Sequence, residues 1–346
     1  MEDYTLSEIR LGDKRGIAEL DRLLAKEKIK RDAHLDYIVG LYDDYGLVAS
    51  GACFADTLRC LAVDGAHQGE GLLNRVVSHL VDYQMRRGHS HLFIYTKTDK
   101  TRFFADLGFY EIARVDGRAA FMENRRNGFS SYLERLSGQK RDGESAALVM
   151  NCNPFTLGHR YLVEQAALRN DVVHLFAVSE DASLFPFADR YAMIEAGCAD
   201  LKNVVLHRTE SYMISSAVFP SYFLKDEQSA IEVQARLDIA LFGKIAAVLG
   251  VRRRYVGEEP FSSVTRIYNE TMLRELPAAG IELVVVPRRE IGGEPVSASR
   301  VRQMIHDGRL DEIRPLVPQS TFDYFGTEAG LRIVRRIQAA SEVVHY

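Results

Sequence analysis

The chain has 346 residues, 47% of them hydrophobic, more than one core ordinarily holds, so two domains are expected. Its 44 basic and 48 acidic side chains leave a formal net charge of −4, which offers no broad basic footprint to nucleic acid or an anionic membrane. No apolar run approaches the ~20 residues of a membrane span, the polar N-terminus is unlike a signal peptide, and Cys53, Cys60, Cys152 and Cys198 lack metal-finger spacing; a cytoplasmic protein without a bound metal is expected.

In chain order, a first strand precedes a helix over residues 12–28. Three strands follow within 35–43, 45–54 and 58–64, their apolar and small residues alternating as sheet residues do. A Gly-rich turn at 68–71 opens a helix over 72–87, where Leu72, Leu73, Val76, Val77, Leu80 and Val81 recur at helical spacing. A strand over 91–98, a short helix ending at Gly108 and a further strand complete a first domain, 1–125. Residues 126–145 are polar, charged and Gly-containing and read as a linker with room for one short helix. In 146–346 the order restarts with strand 146–150, helix 158–169, strand 171–179, helix 188–201 and strand 203–208. Helix 230–250, strand 253–257, helix 265–276 and strand 281–287 follow. Strands alternating with helices predict an α/β domain with a doubly wound parallel sheet. The connection 207–228 is apolar, aromatic and about twenty residues long; a loop of that length inside a compact domain is usually functional, here a candidate lid over the second domain's site, or wrongly assigned. Arg252–Arg254 reads as a solvated charge run at a strand start.

Residues 151–159, NCNPFTLGH, lead from a strand through a polar turn into a helix that begins on glycine. Backbone N–H groups and one imidazole then converge on a single point, an arrangement suited to an anion. Asn151, Asn153, Pro154, Phe155, Thr156, Gly158 and His159 are the candidates there. Near the end of the domain, PVSASRVRQ places Ser297 and Ser299 at a helix start with Arg300 and Arg302 within a turn, a second anion cradle. Thr156 and Asn153 have plainer readings as turn formers, and Ser297 as an N-cap.

TLGH resembles the T/H-x-G-H motif of the nucleotidyltransferase superfamily, and VSASRVR resembles its I-S-S-T-x-x-R partner. The resemblance implies that His159, Ser299 and Arg302 hold a triphosphate while an oxygen attacks the α-phosphorus. Such chemistry needs preorganised donors rather than a side-chain nucleophile. Across nearly the whole chain, NCNPFTLGHRYLVEQAA, SEDASLFPFADR, SYMISSAVFPSYFLKDEQ, RYVGEEPF and IYNETM look like the citrate lyase ligase family. That resemblance implies that ATP and acetate form acetyl-adenylate, whose acetyl group passes to the thiol of a CoA-like prosthetic group on the citrate lyase acyl carrier protein. Within that frame Arg190, Gly257, Glu259 and Lys225 are candidates for nucleotide, phosphate or acetate contact. Arg190 reads equally as an exposed helix-start cation, and Glu259 as a strand terminator. Magnesium would arrive with ATP.

In the first domain, LAVDGAHQGEGLLNRVV followed by FFADLGFYE resembles the GNAT acetyltransferase family. Gln68, Gly69 and Gly71 fit its Q-x-x-G-x-G/A loop, whose amides bind a diphosphate, although Leu73 stands where that pattern has Gly or Ala. His67, His89 and His91 read as surface or packing residues, and no general base is nominated. A module that binds the carrier's CoA-like arm is therefore expected. The competing readings are a small-molecule adenylyltransferase, with a mononucleotide or phosphopantetheine acceptor, and a regulatory protein without turnover.

Overall fold

The computed structural model describes residues 4–181, 183–213, 219–220, 222–224, 226–258 and 263–343. The chain divides into two compact units, Met1–Ser131 with Phe219–Ala240, and Tyr132–Val218 with Leu241–Tyr346. The division is not the contiguous one expected: part of the long connection, expected as a lid over the second domain's site, belongs to the first unit.

The first unit contains β1 (Thr5–Glu8), α1 (Lys14–Lys26), β2 (Tyr37–Tyr42), β3 (Leu47–Phe54), β4 (Thr57–Val63) and α2 (Leu72–Arg86). After these come β5 (Phe93–Thr96), α3 (Thr101–Asp106), β6 (Tyr110–Val115) and β7 (Ala119–Glu123). The sheet order is β1-β2-β3-β4-β5-β7-β6, and β4 with β5 is its one parallel pair among the described strands. Alternation along the strands sends Val39, Leu41 and Ile94 to one face, where they pack on Leu72, Val76 and Leu80 of α2. Parallel pairing covers only Thr57↔Phe93 and Leu58↔Ile94. The β3–β4 register shifts between Ser50 and Ala52, and Cys60 sits at φ 50. A bulge of this kind bends its strand, and past Leu58 β4 leaves β5, opening a slot.

Helix α4 (Gly128–Ser137) lies in the stretch expected as a linker. Phe129, Tyr132 and Leu136 on it are buried, and the Tyr132 hydroxyl donates to the Arg208 carbonyl at 3.0 Å. The second unit continues with β8 (Ser145–Met150), α5 (Leu157–Ala167), β9 (Val172–Ala177), α6 (Phe187–Gly197) and β10 (Val204–Arg208). Then come α7 (Glu227–Leu249), which begins in the first unit's share of the chain, β11 (Val251–Gly257), α8 (Ser263–Glu275) and β12 (Glu282–Val286). A short ribbon of β13 (Glu290–Ile291) and β14 (Glu294–Pro295) leads to α9 (Ala298–His306), α10 (Gln319–Tyr324) and α11 (Glu328–Ala339).

The five parallel strands run β10-β9-β8-β11-β12. SAALVM and VVHLFA are nearly continuous apolar runs because helices cover both faces of such a sheet. The order reverses at β8, so the carboxyl ends of β8 and β11 frame the crevice where this architecture binds ligands. Of the Arg252–Arg254 run, expected as a solvated edge, Arg252 is exposed but Arg254 is not. Strand β11 begins at Val251, and alternation carries Arg254 inward, 3% exposed, with its guanidinium 4.3 Å from the Phe242 ring centre. Arg253 pairs instead with Glu144 at 2.6 Å and Glu282 at 3.3 Å.

Candidate active site

The turn after β8 is shaped by its own side chains. Cys152 takes a left-handed conformation, φ 54, and the Asn153–Pro154 bond is cis. Thr156 caps α5 through a reciprocal box: its hydroxyl accepts from the His159 amide at 3.4 Å, and its own amide donates to His159 Nδ1 at 3.0 Å. An amide can only donate, so Nδ1 is the acceptor and the ring proton sits on Nε2. The buried Phe155 ring lies nearly parallel to the imidazole, 5.9 Å between centres. Burial, then the neighbouring charges of Arg288 and Arg302, push the His159 pKa down to about 4. His159 is therefore a neutral donor with a fixed tautomer.

Gly158 joins the two motifs. A Cβ there would lie 2.7 Å from the Val296 carbonyl oxygen, so only glycine lets the segment leading into α9 come this close to the first turn of α5. Ser297 caps α9, accepting from the Arg300 amide at 3.1 Å, and its hydroxyl stands 3.2 Å from that of Ser299. Two helix starts, each with opening N–H groups that lack intrahelical partners, thus meet beside His159.

The arginines divide into two groups. Arg190, whose two readings were a phosphate contact and an exposed cation, is fully buried, which removes the exposed cation. It donates to the carbonyls of Asn151 (2.8 Å), Val178 (2.8 Å), Phe185 (3.0 Å) and Glu180, and to Asn151 Oδ1 at 2.7 Å. It fastens the loops after β8 and β9 to α6. Arg302, expected to hold a triphosphate, is 3% exposed; its Nη1 donates to the Asn153 carbonyl at 2.5 Å and its Nε to the Val343 carbonyl at 2.6 Å. Burial lowers its pKa to about 10, which leaves it charged. Arg300 stays half-exposed, paired with Glu294 at 2.8 Å. Arg288 went unnoticed in the sequence, yet its charge bears on His159 and its Nε donates to the Glu258 carbonyl at 2.8 Å. Its place two residues after apolar β12, at the carboxyl edge of the sheet, is the signal that could have found it.

Asn151 and Asn153 also serve the turn. The Asn151 amide donates to the Ser183 hydroxyl at 3.0 Å, and Asn153 Oδ1 accepts from the Phe185 amide at 3.2 Å. Gly257 ends β11 opposite Val286. Glu259, Pro260 and Lys225 lie outside the described residues. Among the described residues, no group of three His, Cys, Asp or Glu side chains gathers to hold a metal ion, and no helix is long and apolar enough to cross a membrane.

In the first unit, the loop carrying Gln68, Gly69 and Gly71 is exposed, with Gly69 at φ 92 and Gly71 at φ 75. Gly71 is the N-cap of α2 and supplies no side-chain cap, so the opening amides of that helix are left for a ligand. The slot between β4 and β5 adjoins the loop as a cavity of about 520 Å³. Leu73 lines it together with Leu61, Tyr95, Phe104, Tyr222 and Phe223. His67 and His91 are engaged by the Tyr4 hydroxyl (3.2 Å) and Glu123 (2.6 Å).

A doubly wound sheet with paired helix starts and a neutral histidine at its carboxyl edge defines a nucleotidyltransferase-type domain, here in one chain with a second α/β unit built on a mixed sheet. Residues 145–325 match the family described as citrate lyase ligase C-terminal domain. The chain is 38% identical to the [citrate [pro-3S]-lyase] ligase of Klebsiella pneumoniae, over 91% of this chain and 94% of that one. It is 36% identical to the ligase of the same name from Escherichia coli (strain K12), over 91% and 92%. This chain belongs to the citrate lyase ligase family. Among solved structures, an acyl-CoA N-acyltransferase from Pseudomonas aeruginosa aligns with 36% of this chain and all of that one, at 14% identity and a TM-score of 0.31.

Proposed function

We propose that the chain is an AMP-forming acetate:thiol ligase acting on the citrate lyase acyl carrier protein. In the first step an acetate oxygen attacks the α-phosphorus of ATP, the bond to the bridging oxygen breaks, and diphosphate leaves. In the second, the thiol of the carrier's CoA-like arm gives its proton to solvent, its sulfur attacks the acetyl carbonyl, and AMP leaves.

The observation that carries this reading is the close approach of Gly158 to Val296 in a chain of this family. It supports a cradle in which His159 Nε2–H, the Ser297 and Ser299 hydroxyls and the first amides of α5 and α9 donate to phosphate oxygens. Charge develops on those oxygens during transfer, and donors already in place need no reorganisation. Arg288 and Arg300 add positive charge at the edge, while Arg190 and Arg302 position the loop rather than touch phosphate. The triphosphate carries more charge than these groups neutralise, so magnesium would accompany ATP, held by phosphates and water. In the first unit, Gln68, Gly69, Gly71 and the α2 amides would take the diphosphate of the arm.

The test is to supply ATP and magnesium with acetate, with and without the thiol-bearing carrier. Acetate alone should support exchange of labelled diphosphate into ATP, and acetate with the carrier should give AMP, diphosphate and an acetyl thioester. A dinucleotide product formed without acetate would overturn the proposal.

A further inference from the structure

One wall of the first unit's cleft comes from far along the chain. Beyond Leu58 and Ile94 the slot passes through the sheet, because β4 and β5 no longer pair. On one face it meets Leu72 and Phe104, which pack with Ile94. Tyr95 points to the opposite face, its ring 4.4 Å from Phe121 and edge-on to Phe219 at 5.3 Å. There the segment before α7 covers the opening with Tyr222 and Phe223, 8% and 9% exposed, their rings edge to face at 5.3 Å. Tyr222 is fastened twice: its carbonyl accepts from the Lys30 amide at 2.9 Å, and its hydroxyl is hydrogen-bonded by the Cys60 backbone, at the bulge where β4 turns away.

An arm held by its diphosphate at the Gln68–Gly71 loop would run down this slot with its thiol toward that pair. We propose that Tyr222 and Phe223 are the end stop of the cleft, admitting the free thiol and excluding the acetyl thioester, so that unacetylated carrier is retained and product released. The inference rests on the reading that the arm occupies this cleft. Acetylation adds three heavy atoms at the blocked end, and a packed aromatic wall tied by hydrogen bonds does not yield without strain. Size discrimination of about one methylene in an apolar pocket is worth roughly 10–200-fold, so a preference of at least about tenfold is expected.

Calorimetric titration of the full chain with coenzyme A and with acetyl-coenzyme A tests this. Coenzyme A should bind about tenfold or more tightly. Phe223→Ala and Tyr222→Ala should each bring the two ligands to parity, and Tyr222→Phe, which removes only the hydroxyl, should fall between. Thermal melts confirm that each variant is folded, and Phe223→Leu serves if the alanine variant is not. Equal affinities in the unmodified protein, or a ratio unchanged in folded variants, would overturn the end stop. Failure of the unmodified protein to bind either ligand would overturn the arm reading beneath it, and the end stop with it.

Discussion

Replacing Gly158 by alanine puts a methyl carbon 2.7 Å from the Val296 carbonyl oxygen. Carbon and oxygen rest comfortably at about 3.3 Å or more, so the two segments must part by roughly 0.6 Å. The obstacle is backbone on both sides, and no rotamer change relieves it. Overpacking costs about 1–3 kcal/mol, of which about 1 kcal/mol returns because alanine favours a helix over glycine. The variant should therefore fold, with a net loss of about 0–2 kcal/mol. Its site should suffer more, since constellations of donors work within about 0.5 Å and a 1 Å misplacement can cost about 10²-fold. Acetate-dependent exchange of diphosphate into ATP should fall by roughly 10–100-fold, while the thermal midpoint drops a few degrees at most. Near-normal exchange in the folded variant would refute the claim that this close approach seats the two helix starts for catalysis.

Removing the imidazole in His159→Ala should lower exchange by roughly 10²–10³. Because that ring is already neutral, its pKa about 4, the unmodified enzyme's rate should show no limb near the ordinary histidine value; a limb there that vanishes in the variant would contradict the neutral ring. Burial lowers the pKa of His174 and of His207 as well. Stability is then full above about pH 6.5 and falls below it, as the unfolded chain takes up protons that the folded chain resists, the share of His159 levelling off near pH 4. Urea midpoints that agree at about pH 7 and about pH 5 would exclude that linkage. Arg190→Met removes five hydrogen bonds and should cost about 3–5 kcal/mol in urea unfolding, where loss of nucleotide binding at unchanged stability would mean a ligand role instead. Gly71→Asp, aspartate being more tolerant of the left-handed region than most residues, sets a carboxylate where a diphosphate would bind. Exchange should survive it and acetyl transfer to the carrier should fall; unchanged transfer would remove the arm from this loop.

The alternating strands and helices, the Gly-rich loop before α2 and the two helix starts at Thr156 and Ser297 were legible because each is local: spacing, a cap, a turn residue. Thr156 and Ser297 act as caps as well as neighbours of the site, so the plainer and the functional readings of those residues turn out to be compatible. The burial of the arginines was hidden for one cause. A guanidinium in a motif resembles a phosphate ligand, but whether it meets a ligand or a loop carbonyl depends on residues distant in the chain, such as Val343 for Arg302 and Val178 for Arg190. Arg254 shows the same limit, since a run of three charges hides the period of two that turns its middle and last members to opposite faces. The segment around Tyr222 was unreadable for a related reason: apolar residues without periodicity announce burial but not the surface that buries them.

The burial of Arg190 changes how ions in solution bear on the site. Its five hydrogen bonds all end on oxygens without net charge, and the side chain is out of contact with solvent. Mobile ions screen over about 8–10 Å in water at ordinary ionic strength, but they cannot enter the packed volume around this guanidinium. Its attraction for a polyphosphate beside the Asn151 turn should therefore persist in concentrated salt, while that of half-exposed Arg300 fades. Nucleotide affinity should decline with added salt toward a floor rather than toward zero, a behaviour set by a charge that mobile ions do not reach.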